Sequence, residues 1–118
     1  MLYGCRNSYE LSMERGEYYY NAGAYESAAL EYKNVVNHYP RDMGLLDKKT
    51  IHMLANAHHN LAVIYLKRAT QTEDPIKKSS FLEKANAESG RAYDLYPKDA
   101  YKDTWDSIKL LISLAEKE

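Results

Sequence analysis

Three histidines, His52, His58 and His59, crowd one stretch of the chain and are its first candidates for chemistry. A shared metal ion fails on spacing. His52 and His59 are seven residues apart, which on a helix is two turns or about 10.5 Å, too far to ligate one zinc. His58 points to another side, and no Cys-x2-Cys or His-Glu-x2-His pattern supplies further ligands. Paired carboxylates are the next candidates for acid–base work, which requires a cleft. Glu14 with Glu17, and Glu26 with Glu31, read more simply as solvated helix faces. No Gly-rich phosphate loop and no serine elbow occurs. Cys5 is the single cysteine, so no internal disulfide forms, and no histidine lies near it in sequence. The chain reads as a binding protein rather than an enzyme, with no cofactor and no metal.

Whatever the chain binds must be positioned by helices. Three prolines and five glycines in 118 residues are too few for a turn-rich β fold, and Ala, Leu, Glu and Lys are abundant. Sixteen basic and 17 acidic residues leave a net charge of -1 without a basic stripe, so nothing points to nucleic acid. No apolar run approaches the length of a transmembrane segment. Tyrosine is abundant at 12 residues, against one Phe and one Trp, and suits half-buried faces and binding surfaces.

Helical periodicity predicts five helices. The first carries Tyr9, Met13, Gly16, Tyr19 and Tyr20, with Ser12 either capping it or lying inside an earlier start, and ends at Gly23. The second carries Tyr25, Ala28, Ala29, Tyr32, Val35, Val36 and Tyr39 and ends before Pro40. A long third helix is predicted from about 45 to 68, followed by a polar linker over 69–74. Asp74-Pro75 starts a fourth, which stops at Pro97. Asp99 is placed to cap a fifth, with Trp105, Ile108, Leu111, Ile112 and Ala115 on one side. In the Tyr18-Tyr19-Tyr20 run at least one ring must face outward, because successive helix residues are about 100° apart. Residues 1–8 are expected to be a flexible lead-in and 9–118 a single all-α domain.

The chain also repeats itself. Gly16, Tyr19, Gly23, Tyr25, Ala28, Tyr32, Val35 and Pro40 closely resemble the tetratricopeptide repeat: small residue, aromatic, Gly-x-Tyr turn, small residue, aromatic, closing proline. Ser12 departs from it, where the family prefers a large aromatic, and so does Arg15, where it prefers Leu. A stretched second copy uses Leu61, Ala62 and Tyr65, then Ala85, Ala92 and Pro97, with Ser89 in place of an aromatic. Pro40 and Pro97 are 57 residues apart, against a family period of 34, so the second pair of helices is expected to be longer than usual. In the last helix, Ser107 and Leu110 take the small and aromatic positions, and that helix resembles a terminal cap.

The resemblance implies a helix-pair solenoid that binds a protein or peptide partner on a concave face lined by the first helix of each pair. Family geometry puts Met13, Glu17 and Tyr20 on that face of the first helix and His59, Val63 and Leu66 on the third. A second copy of the chain is an alternative cover for Val63 and Leu66, so a homodimer is within the expectation. Members that grip chaperone C-terminal carboxylates carry Lys, Arg and Asn where this chain has Met13, Glu17, Asn60, Tyr101 and Trp105. Only Asn60 agrees, so that clamp is not expected. Leu2-Tyr3-Gly4-Cys5 resembles the end of a bacterial lipoprotein signal, which would attach lipid to Cys5. The alternative function is therefore an envelope lipoprotein that scaffolds an assembly or transport complex, rather than a cytoplasmic protein; a second alternative is a metal-binding helical protein whose histidines are completed by Asp or Glu from another helix.

Overall fold

The computed structural model describes residues 8–38 and 46–117; Cys5 and Pro40 lie outside them. The described residues form five helices and no strand: α1 Ser8–Asn21, α2 Tyr25–Asn37, α3 Lys48–Gln71, α4 Pro75–Leu95 and α5 Asp99–Glu116. α1 packs against α2, α3 against α4 and α4 against α5, and the chain divides into two compact units, Met1–Leu45 and Leu46–Glu118.

In the first unit, α1 ends where Gly23 takes a φ of 77°. The Gly23 N–H donates to the Tyr20 carbonyl at 3.0 Å and the Ala24 N–H to the Tyr19 carbonyl at 2.8 Å. These two bonds form a Schellman motif, which a side chain at this φ would strain. The chain then reverses directly into α2. The two helices meet closely at Gly16, where an added Cβ would stand 2.6 Å from Cε1 of Tyr32. Tyr32, Ala28 and Val35 are buried around that contact. Ser12 does not cap α1. It lies inside the helix, fully buried, and its hydroxyl accepts a hydrogen bond from Nδ2 of Asn34 at 2.9 Å. Of the three successive tyrosines, Tyr18 faces outward, 70% exposed, while Tyr19 and Tyr20 are half-buried.

In the second unit, Asp47 caps α3 by accepting from the Thr50 N–H at 2.8 Å. α3 begins later than the sequence suggests and continues to Gln71, taking up the start of the expected linker. Ala69 is the reason: it is fully buried, so the last turn has packing to hold it. Asp74 caps α4 as expected, accepting from the Ile76 N–H at 3.0 Å, with Pro75 in the first turn. α4 ends at Leu95, and Tyr96 takes the extended backbone that a following proline requires. Asp99, by contrast, makes no cap; it is the first residue of α5, and Lys98 holds the cap position without a side-chain bond. The second pair is indeed long, 24 and 21 residues against 14 and 13 in the first.

The core of this unit repeats every seven residues. Ala55, Ala92 and Tyr101 form one buried cluster and Ala62, Ala85 and Ile108 the next. α3 and α5 thus run one way and α4 the other, each giving one residue per layer. At the following level, Ile112 and Ala115 of α5 and Pro75, Lys78 and Leu82 of α4 line an open groove of about 250 Å³. α5 is seated on α4 by Trp105, whose Nε1 donates to Oδ1 of Asn86 at 2.8 Å. Gly90 makes room for the indole: an added Cβ would lie 3.2 Å from Cζ2. The inward side of α5 is therefore Tyr101, Trp105, Ile108 and Ile112, whereas Leu111, expected there, is 38% exposed.

The α1–α2 contact is tested by enlarging it. Ala28→Leu is expected to lower stability by about 1–3 kcal/mol through overpacking. Helix propensity alone would make Gly16→Ala stabilising by about 1 kcal/mol. Contact with the buried Tyr32 ring is expected to reverse that sign. Denaturant titration measures both; an Ala28→Leu variant as stable as wild type would remove the crossing from this pair.

Candidate functional site

The site residues expected from the sequence fall on two helices in separate units. On α1, Met13 and Tyr20 are half-buried and Glu17 is exposed, at one-turn intervals along one stripe. The Tyr20 ring lies 5.4 Å from that of Tyr25 across the turn. On α3, His59, Val63 and Leu66 are all half-buried, while Leu61, Ala62 and Ile64 around them are buried. Leu66 packs in part against the Ala62–Ala85–Ile108 cluster, so some of its surface already serves the core. The repeat residues Ala62 and Ala85 meet in that cluster, with Tyr65 packed beside them. Tyr19 and Tyr25 are half-buried in the first unit, and Pro97 is exposed at the α4–α5 turn.

Beside the α3 stripe lies a run of rings that no single sequence segment announces. The His59 ring sits 4.6 Å from Tyr101, tilted by 32°. Tyr101 meets Tyr96 edge-on at 6.4 Å, and Tyr96 stacks on His52 at 4.0 Å. α3 supplies the two histidines, seven residues apart; the two tyrosines flank the α4–α5 turn, Tyr96 at the end of α4 and Tyr101 in the first turn of α5. Lys98, in the same turn, holds its Nζ 5.4 Å from the centre of the Tyr101 ring. Sequence reasoning missed Tyr96, Lys98 and Tyr101 as neighbours of His59. The available signal was the shared seven-residue spacing of His52–His59 and Ala55–Ala62, which puts the histidines and the core alanines in step along α3.

Burial, reinforced by the nearby Lys98 ammonium, holds the His59 ring below the ordinary imidazole range. Its Nδ1 is buried without a hydrogen-bond partner among the described residues. Burial, with Tyr96 adding to it, pushes the Tyr101 hydroxyl up, so it stays protonated. His58 does different work: its Nδ1 lies 2.6 Å from Glu88 Oε1, tying α3 to α4, and Arg91 approaches the other carboxylate oxygen at 3.4 Å. Among the described residues no group of three or more His, Cys, Asp and Glu could hold a metal ion, and no helix is long and apolar enough to cross a membrane. His52 and Tyr96 are the accessible end of this run of rings, and Tyr101 is its buried end.

The depressed His59 gives a signed expectation. The unfolded chain takes up a proton at this ring near the ordinary value of about 6.5, and the folded chain resists it. The stability that depends on the neutral ring is complete above that value and is lost as pH falls below it. Between about pH 7 and pH 5 the melting temperature should fall more steeply for wild type than for His59→Gln. Parallel profiles would mean that folding does not disfavour the charged ring. No protein-family model matches this chain, and no curated protein or solved structure matches it either.

Proposed function

We propose that this chain is a protein-interaction module of the tetratricopeptide type, which receives an apolar or amphipathic peptide or helix and performs no catalysis. The observation that carries the proposal is the α3 stripe: His59, Val63 and Leu66 remain half-buried although Leu61, Ala62 and Ile64 already supply the core. The stripe of Met13, Glu17 and Tyr20 on α1 is the corresponding surface of the first unit. The family assignment is supported by small residues at matching positions in the two helix pairs, Gly16 against Tyr32 and Ala62 beside Ala85. The stacked rings of His52 and Tyr96 extend the α3 surface with a rigid, amphipathic contact. Such groups recur where interfaces bind tightly, because they bury large area at little entropic cost.

Val63→Ser is the discriminating variant, because Leu66 also contributes to the core cluster. A partner captured on the immobilised intact chain and identified by mass spectrometry would be titrated against both proteins. The expected outcome is an affinity loss of about tenfold with the melting temperature unchanged. Binding unaffected by Val63→Ser, or a variant that unfolds, would make this position part of the structure rather than of the partner site.

A further inference from the structure

α5 has a second apolar face with nothing from its own unit upon it. The small residue and the aromatic three positions later are Gly16 and Tyr19 in α1 and Ala62 and Tyr65 in α3; the same spacing in α5 falls on Ser107 and Leu110. Gly16 is met by Tyr32 of α2, and Ala62 clusters with Ala85 of α4. Ser107 is exposed, Leu110 is 59% exposed, and Leu114, one turn further, is 49% exposed. At about 100° per residue, Asp103, Ser107, Leu110, Leu114 and Lys117 form one stripe. It lies opposite the inward stripe of Tyr101, Trp105, Ile108 and Ile112. The 4-3-4-3 spacing is that of a helix seam that expects another helix.

The charges say which helix fits. The stripe begins with Asp103 and ends with Lys117, each seven residues from Leu110, and both are exposed. A parallel copy of α5 would set Asp103 against Asp103 and Lys117 against Lys117. An antiparallel copy, related by a two-fold axis beside Leu110, sets Asp103 against Lys117 twice and brings the leucines together at the centre. The flank does not oppose this approach, since Asp106 is engaged within the helix by Lys102 at 2.7 Å and Lys109 at 3.5 Å.

We propose that the chain self-associates through an isologous, antiparallel α5–α5 contact, centred on Leu110, flanked by Leu114 and bounded by Asp103–Lys117 pairs between copies. An isologous contact of this kind closes on itself and builds no fibre. One helix per copy buries less than the roughly 1,200 Å² of a standard interface, so the dimer forms reversibly with concentration. The proposal does not rest on the partner-binding reading, which concerns α3.

Sedimentation equilibrium of the full chain, from micromolar to millimolar, tests it. Wild type should show a monomer–dimer equilibrium. Leu110→Glu should weaken it by about tenfold or more, with helicity and melting temperature retained because the side chain is outside the core. Asp103→Lys alone should weaken it severalfold, with the loss shrinking at high salt. Adding Lys117→Asp to that variant should restore it. A chain that stays monomeric throughout, a dimer indifferent to Leu110→Glu, or a double reversal that restores nothing would each overturn the proposal. The charge reversals, at exposed positions, keep the test open should Leu110→Glu fail to fold.

Discussion

Close approach between helices is the constraint from which the rest of the structure follows. Helices pack at a separation set by the side chains at their contact, and these helices meet through residues with little or no side chain. In the first unit the contact is concentrated at Gly16, which the ring of Tyr32 covers. In the second it is drawn out along the helices. Ala55, Ala62 and Ala69 line α3 at seven-residue intervals, and Ala85, Ser89 and Ala92 line the facing side of α4, all of them buried. Close packing along such a length needs long helices, and α3 and α4 are the longest of the described helices.

The two pairs differ in what fills the space between their helices. Tyr32 fills the space over Gly16 with a ring. In the second pair, buried Ser89 fills almost none, and alanines meet between α3 and α4, Ala55 with Ala92 and Ala62 with Ala85. Ser89 is fully buried and its hydroxyl lacks a hydrogen-bond partner among the described residues, a cost of about 1–3 kcal/mol that close packing must offset. Ser12, the other fully buried serine, is satisfied by Asn34. Through this hydroxyl and amide, α1 and α2 are joined by polar as well as apolar contact.

α5 is held on one side and bare on the other. Trp105 pins it to α4 through the gap that Gly90 leaves and through the bond to Asn86, while Lys109 covers the indole at 4.2 Å. Tyr101 and Ile108 each complete one layer of the core. Because Tyr101 is committed to the first of these layers, its ring is also fixed against His59, which links the packing of α5 to the half-buried stripe of α3. A helix that ended the fold passively would be polar outside, whereas Leu110, Leu111 and Leu114 are all exposed.

The sequence by itself determined the local structure. Five helices, the stop at Gly23, the start at Asp74-Pro75 and the small residues at the crossings were legible because each depends on a residue's own backbone preference or size. The boundaries that sequence reasoning misplaced depend on neighbours. The last turn of α3 persists because Ala69 is buried, and Asp99 makes no cap although its type suits one; Ser12, left open between cap and interior, is interior, where Asn34 donates to it. The faces follow the same division. Periodicity shows that Val63, Leu66 and Leu110 lie off the main stripe of their helices, but not which neighbour covers each. Only the tertiary structure decided that Leu66 is partly core, that Leu110 is bare, and that the turn after α4 folds Tyr96 and Tyr101 onto His52 and His59. Those contacts join residues about 40 positions apart, and spacing along one helix carries no information about what a distant turn lays against it.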